Sequence, residues 1–417
     1  MLTIDPRKID HATVRVPGSK SYTHRLLIGC ALASGTSTLA NPLISEDTRF
    51  AARALEQMGA QIELQEGGAR VQGSGGRLRS AADPIYLGNS GTSMRLLTAI
   101  AGLGRGPYRL EGTPRMHQRP IGALLEGLAQ IGVAAWAVNG DDCPPVVVDG
   151  THARGGAAIL DCSLSSQFLS GMLLMAPCLS LGLEIRVARG PVSKPYLDLT
   201  LEIMAQLGIR VERQGYRRFA VPGGQAYAAG DYRVEPDCSG AGYFWAAAAV
   251  TGGSVTVRDI SPGTRQGDMG LVTLLEQMGC RVQFGAQGVT VTGGDLRAIE
   301  CDMGDMPDMV PTLAVVAAFA RGTTRIGNVA HLKAKESDRL GAVAAELARL
   351  GVTVATTPDS LSITGGIPRG AHIRTYDDHR MAMAFAVAGL RVPGLSIENP
   401  GCVAKSFPNF WDLFQRL

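Results

Sequence analysis

Leu55-Glu56-Gln57-Met58-Gly59-Ala60-Gln61-Ile62 is the stretch that decides the fold: a helical run closing on apolar residues, then glycine, then the alternation of a strand. Four further stretches repeat the phrase. They are Leu128-Ala129-Gln130-Ile131-Gly132-Val133, Met204-Ala205-Gln206-Leu207-Gly208-Ile209, Leu275-Glu276-Gln277-Met278-Gly279-Cys280-Arg281-Val282 and Leu347-Ala348-Arg349-Leu350-Gly351-Val352. A glycine just past the last apolar position of a helix suits a left-handed C-cap, where a Cβ would clash. The glycines recur roughly every 70 residues, longer than an ordinary solenoid repeat, so each unit reads as a compact α/β subdomain.

Each block also carries a second helix with strands of its own, as at 90–103 and 240–250, giving units that bury apolar helix faces on a sheet. A sixth helix, at 410–417, has no strand after it. The strand-like starts Leu2-Thr3-Ile4 and Thr13-Val14-Arg15-Val16 are available to close that unit. The reading is an α/β chain of six units in two lobes with a cleft between them. Residues 1–17 and 233–417 form a terminal lobe and residues 18–232 a middle lobe, with hinges near 16–18 and 233–236.

Composition agrees. A chain of 417 residues exceeds one core and fits two domains of about 200. A hydrophobic fraction of 45% with 53 glycines describes a turn-rich α/β enzyme, not a disordered or fibrous chain. The longest apolar run, Val310 to Ala320, is far short of a membrane span, and Met1 to Asp5 lacks the features of a signal peptide. The eight cysteines are scattered without a metal-ligand or disulfide pattern, which points to reduced thiols in a cytoplasm. A net charge of +3 argues against nucleic acid as partner, and no membrane partner is implied.

The cations matter by position. Pro17-Gly18-Ser19-Lys20-Ser21-Tyr22-Thr23-His24-Arg25 leads into an apolar helix, placing two cations, hydroxyls and backbone N–H groups at a helix N-terminus, a natural anion site. A P-loop is a weaker competitor, because the glycine expected before Gly-Lys-Ser/Thr is missing: Ser19 precedes Lys20, and Thr13 or Val14 stands upstream. Leu87 to Arg95 is a second small-residue turn before a helix. Pro114-Arg115-Met116-His117-Gln118-Arg119-Pro120 holds two arginines between prolines, Cys162 to Gln167 offers neutral donors, and Ser193-Lys194-Pro195-Tyr196 opens another helix. The second half sets carboxylates beside cations in Asp305 to Met309, Lys333 to Arg339, Asp377 to Met381 and Cys402 to Pro408. Any one of these could be an ordinary cap or turn. Lys and Arg are unfavourable at helix starts, however, so their recurrence there implies a bound anion.

In order along the chain, PGSKSYTHR, LGNSGTSMR, PRMHQRP, SSQ, SKPY, PDM, KESDR, DHRMAM and CVAKSFP resemble the motifs of the 5-enolpyruvylshikimate-3-phosphate synthase family of enolpyruvyl transferases. The resemblance runs over essentially the whole length. It implies two lobes of three βαβαββ units each, an inside-out α/β barrel arrangement, with the active site in the interlobe cleft. It also implies joining the 5-hydroxyl of shikimate 3-phosphate to C2 of phosphoenolpyruvate with loss of phosphate, a step of aromatic amino acid biosynthesis. No metal or organic cofactor is required, and a monomer is expected.

By the same resemblance Asp308 is the base, Glu336 the acid toward carbon, and Lys20 and Lys405 the lysines at the departing phosphate. Lys20, Ser21, Arg25, Ser165, Ser166, Gln167, Ser193, Tyr196, Asp308 and Lys335 should hold shikimate 3-phosphate. Lys20, Asn89, Gly91, Arg119, Gln167, Arg339, Arg380 and Lys405 should hold phosphoenolpyruvate. His24, His117 and His379 are read as structural. The family inhibitor glyphosate is expected to compete with phosphoenolpyruvate beside Gly91. Two residues depart from the pattern: Leu96 stands where many members have Pro, and His331 where some have Asn. The alternatives are the sister transferase acting on UDP-N-acetylglucosamine, whose loop cysteine is missing from 115–119, and a silent binding protein, which would be expected to have lost Asp308, Glu336 or a lysine.

Overall fold

All residues 1–417 are described by a computed structural model. The five repeated glycines end five helices, Glu46–Gln57, Gly122–Ala129, Pro195–Gln206, Gly270–Gln277 and Arg339–Arg349, and each takes a positive φ. Each helix closes with the same two backbone bonds. The glycine N–H reaches the carbonyl three residues back (Gly59 to Glu56, Gly279 to Glu276), and the next N–H reaches five back (Ala60 to Leu55, Cys280 to Leu275). This double closure satisfies orphan carbonyls and turns the chain into the strand that follows.

Of six small sheets, five follow one plan, two parallel strands extended by an antiparallel hairpin. In Ile85–Tyr86, Tyr108–Glu111, Val146–Asp149 and Ala134–Ala137 the first pair is parallel and the others antiparallel. The sheets built on Gly156–Asp161 with Leu183–Arg189, and on Glu300–Asp302 with Thr323–Gly327, repeat it. The last sheet has three strands, Leu2–Ile4, Leu395–Ile397 and His372–Ile373.

Closure of the sixth unit therefore uses Leu2–Ile4 alone. The second N-terminal strand, His11–Val14, does not join it but runs parallel to Ser254–Arg258, Val14 opposite Val257. Asp231–Arg233 in turn runs parallel to Ser34–Ala40. Each of these strands thus pairs with a segment far away in sequence but inside its own compact unit.

The chain divides into two compact units, residues 1–19 with 235–417 and residues 20–234, each with its own apolar core. In each, three helices are buried on nearly every side: Lys20–Leu32, Gly91–Ala101 and Gln167–Met175 in the middle unit, Cys238–Thr251, Val310–Ala317 and His379–Gly389 in the terminal unit. A helix apolar all round belongs in a core, so polar chemistry gathers at its end. No helix is long and apolar enough to cross a membrane.

The shared cap can be dissected by substitution. At Gly208 an added Cβ meets nothing nearer than Ala228 Cβ at 3.8 Å, so Gly208→Ala tests the φ cost alone, roughly 1–2 kcal/mol. At Gly279 the Cβ would stand 2.6 Å from the Asp295 carbonyl oxygen, so Gly279→Ala should add about 1–3 kcal/mol of steric strain. Thermal unfolding of the two variants should show the larger fall for Gly279→Ala; equal falls would refute the steric part.

Candidate active site

In the middle unit the candidate residues gather at the N-termini of the buried helices. Lys20 opens Lys20–Leu32, and its Nζ lies 3.1 Å from Asp47 Oδ2, a carboxylate in the first turn of Glu46–Gln57. Ser90 caps Gly91–Ala101, accepting from the Ser93 N–H. Arg119 follows the short helix Met116–Gln118, is 3% exposed, and donates from Nη1 to the Asn89 carbonyl at 2.8 Å and to Asn89 Oδ1 at 3.2 Å. A Cβ at Gly91 would stand 2.3 Å from Arg119 Nη2, so glycine is what lets the guanidinium lie across this turn.

Gln167 heads the third buried helix. Its Oε1 accepts from Arg95 Nη1 at 2.9 Å and its Nε2 donates to Thr92 Oγ1 at 3.0 Å, which ties the second and third helix starts together. Ser165 Oγ accepts from the Gln167 N–H, and Ser166 Oγ donates to the carbonyl of Ser193, whose φ is 54°. Arg25 is 1% exposed and points inward. Its guanidinium donates to Ser21 O, Ser170 Oγ, Tyr196 O and Thr200 Oγ1, joining three helices, and burial lowers its pKa to about 10. It reads first as a clamp holding Ser21 and Tyr196 in place.

The terminal unit builds its cluster around Arg339, also 1% exposed. Nε donates to Asp378 Oδ2 at 2.7 Å, Nη2 to Glu336 Oε2 at 2.7 Å and to Asp378 Oδ1 at 3.1 Å, and Nη1 to Asp308 Oδ1 at 2.8 Å. Asp378 is the N-cap of His379–Gly389; it also takes the Arg380 N–H and the Ser337 hydroxyl. Asp308, in the short helix Pro307–Met309, receives Arg380 Nη2 on Oδ2 at 2.7 Å, and Lys335 Nζ lies 3.7 Å from Oδ1. Lys405 ends Pro400–Lys405 and is 6% exposed.

Burial alone would raise Asp308, yet Arg380, Lys335 and Arg339 hold it well below the usual carboxylate range. Burial likewise opposes the Arg339 charge, but Asp378, Glu336 and Asp308 raise its pKa. His331, 5% exposed with no hydrogen-bond partner on Nε2, is lowered to about 4 by burial and by Lys335, and is a neutral imidazole. His24 and His379 lie fully buried inside their helices, and Leu96 is fully buried within Gly91–Ala101.

Two helix-start clusters, one of hydroxyls, amides and single cations and one of paired Asp, Glu, Arg and Lys, suit an anionic substrate together with proton transfer. Residues 5–414 match the family described as EPSP synthase (3-phosphoshikimate 1-carboxyvinyltransferase). The chain belongs to the EPSP synthase family. It is 46% identical over 418 residues to the 3-phosphoshikimate 1-carboxyvinyltransferase of Syntrophobacter fumaroxidans, covering 100% of this chain and 99% of that one. With that of Methanoculleus marisnigri the identity is 46% over 403 residues, 96% and 95% of the two chains. The EPSP synthase structure from Acinetobacter baumannii superposes with a TM-score of 0.82 at 28% identity, covering 100% of this chain and 97% of the other.

Sequence reasoning left Arg95, Asp47, Asp378 and Thr200 without roles in this EPSP synthase family member. Arg95 and Asp378 sit inside motifs already singled out and could have been found there. Asp47 and Thr200 carried no signal beyond a helical first turn and a helix interior.

Removing Arg339 takes one buried cation from three carboxylates, while Asp308 keeps Arg380 and Lys335. Arg339→Met should destabilise the terminal unit by roughly 3–5 kcal/mol near pH 8, the cost of an uncompensated buried charge. The sign with pH follows: without the guanidinium the carboxyl pKa values rise, so protonation relieves the variant as pH falls. In the unsubstituted protein Asp308, with its depressed folded pKa, contributes stability that is present above its unfolded value near 4 and is lost below it. Unfolding temperatures should therefore converge from pH 8 to pH 5; a gap independent of pH would refute the charge argument.

Proposed function

We propose that this EPSP synthase family member transfers the 1-carboxyvinyl group of phosphoenolpyruvate to the 5-hydroxyl of shikimate 3-phosphate. The observation that carries the reading is Asp308 held between Arg339 and Arg380, with Glu336 on the same Arg339 guanidinium. A carboxylate so placed can accept the hydroxyl proton as oxygen attacks C2, while a second carboxyl delivers a proton to the methylene carbon. The resulting tetrahedral adduct then loses phosphate, with return of the C3 proton to the protein. Lys20 and Lys405 are assigned to that phosphate as it gains charge. In this proposal Ser21, Ser165, Ser166, Gln167, Ser193, Tyr196 and Lys335 take shikimate 3-phosphate, and Asn89, Gly91, Arg119 and Arg380 take phosphoenolpyruvate.

The electrostatics add a step. Three cations make Asp308 a weak base. An anionic substrate that draws Arg380 toward itself reduces this hold and raises the proton affinity of Asp308 when a hydroxyl is present to be deprotonated. A cytoplasmic setting belongs to the same proposal, since all eight cysteines are free thiols.

Phosphate release from phosphoenolpyruvate should depend strictly on shikimate 3-phosphate; release with UDP-N-acetylglucosamine instead would replace this reading with the sister activity. Asp308→Asn should lower kcat by about 10² to 10⁴ while shikimate 3-phosphate still binds. Near-normal turnover would move the base elsewhere.

Gly91→Ala should raise the phosphoenolpyruvate KM, because the new methyl must displace the Arg119 guanidinium. The inhibitor glyphosate, longer than the substrate and assigned to the same space, should lose more affinity. Inhibition curves at matched substrate saturation decide the matter, and parallel shifts in the two constants would count against the steric account.

A further inference from the structure

Asp268 is a carboxyl that the chemistry above does not use, and it is 2% exposed. It lies in the single turn Gly267–Met269, just ahead of Gly270–Gln277. Its Oδ2 accepts a hydrogen bond from Ser239 Oγ, in the first turn of the buried helix Cys238–Thr251. Ser239 Oγ accepts in turn from Arg380 Nη2 at 3.3 Å, and that same nitrogen donates to Asp308 Oδ2 at 2.7 Å. A continuous path runs from one carboxyl through a hydroxyl and a guanidinium to the carboxylate assigned as base. The other terminal nitrogen of Arg380 meets the Tyr243 hydroxyl at 3.3 Å, and burial pushes that phenol up to about 12, so it stays neutral.

A serine hydroxyl has one proton and two lone pairs. With its proton directed to Asp268, the lone pairs are left for the guanidinium. Without Asp268 the hydroxyl is released to rotate, and the acceptor that Arg380 uses is no longer oriented. We propose that Asp268, acting through Ser239, is a positioning residue that orients the Arg380 guanidinium and sets how it is shared between Asp308 and an anionic substrate. Burial and the nearby Asp308 raise the Asp268 pKa to about 6, against the pull of Arg380 and the Ser239 bond, so the carboxyl is placed there against its own solvation preference. That is the mark of a group retained for placement.

The inference rests on the EPSP synthase reading and on the assignment of Arg380 to phosphoenolpyruvate. The unsubstituted enzyme tests that reading first, by its shikimate 3-phosphate-dependent phosphate release. Steady-state constants for Ser239→Ala, Asp268→Ala, the double variant and Asp268→Asn then test the inference. Ser239→Ala and Asp268→Ala should each raise the phosphoenolpyruvate KM by about tenfold, the size of a disrupted hydrogen bond to a charged group, with little change in the shikimate 3-phosphate KM. The double variant should be no worse than the worse single one, because both break the same path. Asp268→Asn, whose amide oxygen still accepts from Ser239, should recover most of the loss. If Asp268→Ala does not fold, Ser239→Ala and Asp268→Asn carry the test. Additive effects, equal rises in both KM values, or an unchanged phosphoenolpyruvate KM in folded Ser239→Ala would overturn the proposal.

Discussion

One buried guanidinium organises the terminal unit. Arg339 holds Asp308, Glu336 and Asp378 at hydrogen-bond distance while almost wholly removed from water. Taking such charges out of water costs several kcal/mol per ion, and the arrangement is tolerable because each carboxylate is matched by a cation. Arg339, Arg380 and Lys335 balance the three carboxylates Asp308, Glu336 and Asp378. The bidentate contact to Asp378 matters most for geometry, because Asp378 caps the helix that carries Arg380. Fixing one arginine therefore fixes the backbone from which the second reaches Asp308.

The middle unit solves a different problem with neutral groups. Serine, threonine and glutamine at helix starts present oriented dipoles without the desolvation cost of a charge, and Arg95 and Arg25 sit beneath them as braces. Two further cations at these helix starts are each held by a neighbour: Lys20 by Asp47, Arg119 by the Asn89 turn. Small residues are needed where these groups cross, which is why Gly91 lies under a guanidinium.

Much of this was legible in the chain because it is local. A helix ending on glycine specifies its own cap, and all five caps close with the bonds that the phrase implies. The motif residues at helix starts were legible for the same reason. What escaped is non-local or depends on direction. Nothing in His11–Val14 distinguishes a partner at Ser254–Arg258 from one at the C-terminus, since a parallel pairing leaves no mark on either strand. Arg25 and Arg339 read as open anion ligands because side-chain type does not say whether a guanidinium faces solvent or core. Asp268 sits in a Gln-Gly-Asp stretch outside every motif singled out above, and its burial and its contact with Ser239 are visible only in the fold.

The crossings at 17–20 and 234–237 carry a topological consequence. Within the terminal unit the two passing strands of chain lie side by side: Ser19 N–H donates to the Glu235 carbonyl at 2.7 Å, Gly18 bridges Pro236, and Asp237 N–H donates to the Pro17 carbonyl. The whole span 20–234 is thus spliced into a turn of its host, entering and leaving at one point, as a guest domain enters a surface loop. Because Asp231–Arg233 completes the guest's own first sheet, ribosomal synthesis delivers every strand of the middle unit before most of the terminal unit exists. The host's last sheet, by contrast, joins Leu2–Ile4 to Leu395–Ile397, the widest sequence separation of any strand pair, so it cannot form until nearly the whole chain has been made.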